Sequence, residues 1–221
     1  MAHKGVNTSV RLLSVCWTEA FISQNSTTKT MTYCLGINVE TGLVMAADSR
    51  TNAGVDYISS YQKLFDFSKP GDRVIVLCTA GSLSTSQSVL HSLRQDINLT
   101  KKGGQTDDNV SLHTLSSLHD VACYVGNKMR QIQEKERTWL EKDGIDYQST
   151  CLVGGQIAGE PPGVYLVYSQ GNFIEATPET PFLQIGETKY GKPILDRTVN
   201  YQSPLDQVAK TALLSLDSTM R

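Results

Sequence analysis

The chain has 221 residues, 39% hydrophobic and 19% charged, with a formal net charge of −2. That balance fits one globular domain with a sizeable core and excludes a disordered or fibrous chain. It also offers no basic field for nucleic acid, and no apolar run reaches the roughly 18–20 residues of a membrane span.

Residues 1–30 read differently from the rest. Their apolar patch, Leu12-Leu13-Ser14-Val15-Cys16-Trp17, is too short and too poorly flanked for a signal peptide. Residues 1–31 are therefore expected to lie outside the fold, as a removable propeptide or as sequence upstream of a start at Met31, ahead of one domain over 32–221.

That domain opens with two strands over residues 33–49, joined by a Thr41-Gly42 turn. Tyr33, Leu35, Ile37 and Val39 share one face by period-two alternation, and Cys34 packs on the other. Residues 64–67 and 73–79 form a hairpin around Lys69-Pro70-Gly71-Asp72. Beyond Ala80-Gly81 the period lengthens, and Leu83, Leu90, Leu93 and Ile97 predict a helix, followed by a polar loop over 101–109. Leu115, Leu118, Ala122, Val125, Met129 and Ile132 predict a second helix with one apolar stripe, ended by Asp143-Gly144.

Residues 151–157, 164–168 and 172–176 read as an antiparallel meander, with turns at Pro161-Pro162-Gly163 and Gln170-Gly171. Ser203 as N-cap and Pro204 at the first position open a last helix that runs to Arg221. Strands, two helices, strands and then helices predict an α+β fold, with two antiparallel sheets face to face and helices on both outer sides. The segment Gly186-Glu187-Thr188-Lys189-Tyr190-Gly191-Lys192-Pro193 nearly matches a phosphate-binding loop. Pro193 removes both the hydroxyl and the N–H that such a loop needs.

Five scattered cysteines (Cys16, Cys34, Cys78, Cys123, Cys151) without CxxC spacing read as reduced thiols of a cytoplasmic protein. His91, His113 and His119 read as ordinary helix residues, so no metal or cofactor is expected.

The chemistry centres on Met31-Thr32. A threonine that becomes the first residue carries its own α-amine as a base beside its hydroxyl, and removal of an initiator Met31 would expose Thr32. Asp48 follows in Ala46-Ala47-Asp48-Ser49-Arg50, and Lys63 comes fifteen residues later.

The order Thr32, Asp48-Ser49-Arg50, Lys63 and Ala80-Gly81-Ser82 resembles the proteasome β-subunit branch of the N-terminal-nucleophile hydrolases. Three runs look like the bacterial ancestral β-subunit family, Anbu. They are Met31-Thr32-Tyr33-Cys34, the stretch from Ala46 to Asp56, and the stretch from Phe182 to Arg197.

The resemblance covers residues 32–221 and implies a four-layer αββα sandwich. It also implies a threonine peptidase that hydrolyses peptide or protein substrates, assembled as a homo-oligomer, with any ATPase partner left open. By position it implies Thr32 as nucleophile, Asp48 and Lys63 as the pair that orders the site, and Gly81 as the backbone oxyanion donor. Thr51, Thr79 and Leu83 would line the substrate pocket. A cationic Lys63 would lower the α-amine pKa.

The chain departs from the family pattern in three places. Relatives carry the lysine one residue later, where Leu64 stands here. Their Gly-Ser-Gly, with its supporting serine, reads Gly186-Glu187-Thr188. A further aspartate, a serine and the last strands would fall beyond Arg221, so the domain is expected to be truncated. A catalytically weak scaffold of the same fold and a small-amide hydrolase of another branch are the alternatives.

Overall fold

The computed structural model describes residues 9–15, 32–49, 61–103 and 110–220. Nine strands and four helices are defined among them. They form two sheets, one of four strands in the order β1-β3-β2-β9 and one of five in the order β4-β5-β6-β7-β8.

In the first sheet, β2 (Tyr33–Val39) and β3 (Gly42–Asp48) form the expected hairpin, and β9 (Phe182–Gly186) runs antiparallel on the other side of β2. β1 (Ser9–Val15) adds itself to the outer edge of β3 in parallel, from Ser9 beside Gly42 to Val15 beside Asp48. Residues 9–15 of the expected N-terminal extension thus pair with the first sheet, which is mixed rather than purely antiparallel. Val10 and Leu13 pack inward while Leu12 stays exposed, so the strand buries only part of its surface.

The second sheet is an antiparallel meander of β4 (Leu64–Asp66), β5 (Arg73–Gly81), β6 (Ser149–Ile157), β7 (Gly163–Val167) and β8 (Phe173–Glu175).

Period-two alternation sorts the side chains into three apolar layers. Cys34, Leu43, Met45 and Ala47 meet Val76, Cys78, Leu152 and Val164 between the sheets. Ile75, Leu77, Val153 and Val167 face α1 (Leu83–Lys101) and α2 (Leu118–Lys142). Tyr33, Leu35, Ile37 and Val44 face α3 (Lys192–Thr198) and α4 (Leu205–Met220). The result is the four-layer αββα sandwich.

Ser82 caps α1 and Ser117 caps α2 through their side-chain oxygens. The α2 stripe therefore starts at Leu118 rather than at Leu115, whose carbonyl instead accepts from Arg73 Nη1 at 2.8 Å. Buried Asp96 of α1 pairs with Lys128 of α2 at 2.8 Å and also accepts from the Tyr124 hydroxyl. At the start of α4, the Ser203 hydroxyl accepts from the Asn200 N–H at 3.0 Å instead of capping the helix. Among the described residues no helix is long and apolar enough to cross a membrane.

Candidate active site

The chain places Thr32, Asp48, Lys63 and Gly81 at one end of the sandwich through its strand registers. Thr32 directly precedes β2, Asp48 is the last residue of β3, Lys63 directly precedes β4 and Gly81 is the last residue of β5. Tyr33 pairs with Gly186 at the end of β9, and Gly81 pairs with Ser149 at the start of β6. The two sheets meet here where the Cys34 thiol reaches the Thr79 carbonyl at 3.7 Å.

Asp48 organises the end of the first sheet. Both of its oxygens accept from Lys63 Nζ, at 3.0 and 2.8 Å, and Oδ1 also accepts the Tyr33 backbone N–H at 2.8 Å. One carboxylate thus binds the lysine and the peptide immediately after Thr32. Asp48 is fully buried and Lys63 is 4% exposed, so solvent does little to screen the pair. Leu64, the residue after Lys63, faces the apolar layer between the sheets. Lys69 pairs with Asp72 on the turn before β5, at 3.1 Å.

Thr32 itself is half-buried. The Glu187 N–H donates to its carbonyl at 2.7 Å, which continues the β2–β9 ladder one residue past Gly186. A side chain at Gly186 would collide with the Thr32 carbonyl, so only glycine lets β9 approach.

Tyr33 fixes the next residue from the opposite face. Its hydroxyl donates to Gln184 at 2.8 Å and meets the Ser215 hydroxyl at 2.7 Å. Burial pushes this phenol up to about 12. Gly191 belongs to this contact and not to a phosphate loop, because a Cβ there would strike the Tyr33 ring and the Ser215 hydroxyl.

Gly81 has φ +104°, and a side chain there would run into the Gln148 carbonyl. The Thr79 N–H goes to the Lys63 carbonyl at 3.1 Å, while the Ser82 N–H goes to Gln148 at 2.8 Å. Strand alternation therefore turns the Gly81 N–H to the side of Lys63, away from β6.

Thr79 is buried, and half-buried Leu83 opens α1 just beyond Gly81. Thr51 lies outside the described residues. A cavity of about 550 Å³ on α1, lined by Tyr61, Gln87, Ser88, Leu90, His91 and Arg94, shares none of these residues. His113 sits in the turn before α2 rather than on a helix, with Nε2 2.9 Å from the Phe67 carbonyl, and burial lowers its pKa. Tyr33, Gln184 and Ser215 were not legible as site-supporting residues, because their contacts join β2 to segments more than a hundred residues away.

This sandwich, with Thr32 at the head of a central strand and a lysine–aspartate pair beside it, is the proteasome type of N-terminal-nucleophile fold. The proteasome subunit family model matches residues 28–221. The solved Anbu complex of Pseudomonas aeruginosa, described as a helical assembly, is 47% identical with a TM-score of 0.78. That match covers 86% of this chain and 75% of that one. The Anbu structure from Yersinia bercovieri is 42% identical with a TM-score of 0.76, over 86% of this chain and 75% of that one.

The proteasome subunit beta of Haloferax volcanii is 35% identical over 149 residues, 67% of this chain and 51% of that one. The match with this curated relative thus spans about half of the relative's length. The chain belongs to the proteasome subunit family, in its ancestral β-subunit (Anbu) branch.

Proposed function

We propose that the chain is a threonine-type peptidase subunit that works after Thr32 has become its N-terminal residue. Thr32 Oγ1 attacks the scissile carbonyl while the α-amine takes its proton, directly or through water. The Gly81 N–H donates to the developing oxyanion. The tetrahedral species collapses as the amine returns the proton to the leaving nitrogen, giving a threonine ester. Water, deprotonated by the same amine, then hydrolyses the ester and frees the hydroxyl. Lys63 orients Oγ1 and favours the neutral amine, and Asp48 holds Lys63 in place.

The observation that carries this reading is the shared Asp48 carboxylate, which ties Lys63 and the peptide after Thr32 into one buried unit. Thr79, Leu83 and Thr51 are proposed to shape the substrate pocket. The proposed subunit works in a cytoplasmic homo-oligomer, and the helical assembly of the Pseudomonas aeruginosa Anbu complex supports its self-association.

The test is peptide turnover by protein processed to Thr32. Thr32→Ala should abolish it and Thr32→Ser should keep a measurable part, with both variants folded. Undiminished hydrolysis by the alanine variant would end the proposal. A scaffold with little turnover is the second reading, and Glu187 standing where relatives carry a supporting serine favours it.

A further inference from the structure

Glu187 stands directly across from Thr32. The β2–β9 register pairs Tyr33 with Gly186, so the next step sets Thr32 against Glu187, and the 2.7 Å bond from the Glu187 N–H to the Thr32 carbonyl fixes that pairing. Directly opposed residues of an antiparallel ladder project from the same face. Cys34, two residues after Thr32, and Ile185, two before Glu187, both face the layer between the sheets. The side chains of Thr32 and Glu187 therefore emerge together at the open end of that layer. The Tyr33 N–H points to β3, where it meets Asp48, so alternation turns the Thr32 nitrogen the other way, to Glu187.

The charges around this nitrogen are unequal. Lys63 is neutralised at contact distance by both oxygens of Asp48, at 3.0 and 2.8 Å. From outside, that pair acts more as a dipole than as a charge. Glu187 is half-buried, and its Oε1 accepts only the neutral backbone N–H of Lys189, at 2.8 Å. The Lys189 side chain lies over the Tyr190 ring, 5.3 Å from its centre. The Tyr33 phenol is directed to Ser215 and Gln184 on the opposite face. The first turn of α1 carries no acidic residue. Among the described residues, Glu187, the residue set across from Thr32, carries a charge with no ionic partner.

We propose that the Glu187 carboxylate is the counter-ion of the Thr32 α-ammonium and holds the nucleophile's base protonated at neutral pH, so that activity rises on the alkaline side. This rests on the reading of Thr32 as the processed N-terminal nucleophile. A nearby opposite charge favours the ammonium and raises its pKa, against the smaller opposing effect of the paired Lys63.

The experiment titrates the α-amine itself in protein processed to Thr32, by nitrogen NMR of labelled threonine or by the pH dependence of amine acylation. Wild type, Glu187→Gln, Glu187→Ser and Glu187→Asp are compared. The wild-type midpoint should lie above the reference of roughly 7.7–8.0. The Gln and Ser variants should fall by about one pH unit, a tenfold change in proton affinity, and Asp should stay near wild type. Turnover at neutral pH should rise in Gln and Ser, which lost structural support would not produce.

Equal midpoints in wild type, Gln and Ser would overturn the proposal, and melting curves confirm that the variants fold. The titration needs no turnover. A Glu187-dependent midpoint in a protein whose Thr32 forms no adduct would uphold the ion pair while ending the peptidase reading.

Discussion

Replacing Lys63 with methionine keeps most of the stem and removes the charge. In this structure Lys63 and Asp48 are 4% and 0% exposed and joined at 3.0 and 2.8 Å. Breaking a buried pair by removing one partner costs about 3–5 kcal/mol, because the other charge stays behind unpaired. Asp48 keeps the Tyr33 N–H, which places the expected cost near the lower end, at about 3 kcal/mol.

At about 2–4 °C per kcal/mol for a domain of this size, the melting temperature should fall by about 6–12 °C. Peptide turnover should drop by roughly 10²–10⁴, the usual span for a general-base contribution. Scanning calorimetry and single-turnover kinetics read the two effects separately. A Lys63→Met protein that melts and turns over like wild type would show that the ion pair neither orders the strand ends nor serves the site, and the lysine would have to be sought elsewhere.

Gly81→Ala should lower both stability and turnover, since the position has φ +104° and faces the Gln148 carbonyl. Strain of about 1–3 kcal/mol is expected, read by chemical denaturation beside kcat. Met129→Ala should cost about 2–5 kcal/mol in the same denaturation assay, because Met129 is buried under α2. Wild-type stability there would contradict its placement in the core.

The α2 stripe shows where the sequence pattern was legible and where its meaning was not. Leu118, Val125 and Met129 do form one face, but that face packs on the second sheet and α1. Val125 and Met129 are buried within the subunit, and Ile132 packs against the same cluster. A stripe at helical spacing does not say which partner covers it.

The hairpins and the meander were readable because alternation and turn residues are local signals. β9 and α3 were not assigned as elements. β9 spans only Phe182–Gly186 and is half-buried, and α3 is a short helix opened by Lys192-Pro193. β1 escaped because Leu12-Leu13 breaks the two-residue alternation, and its pairing with β3 is parallel and therefore non-local.

At the site, Thr32, Asp48 and Lys63 were suggested by order and resemblance. The contact that joins Asp48 to the Tyr33 N–H comes from the strand ends and could not be read from spacing. The role of Glu187 was hidden for the same reason, since only the β2–β9 register sets it across from Thr32.

The most direct measurement of the central proposal is covalent trapping of the processed protein by a peptide epoxyketone, which needs both a hydroxyl and a free α-amine on one residue. Intact mass and peptide mapping locate the adduct. The expected result is a species that begins at Thr32 and carries one adduct on Thr32, lost in Thr32→Ala and absent from protein that still holds Met31. An active preparation that retains residues 1–31, or one whose adduct lies on another residue, would contradict it.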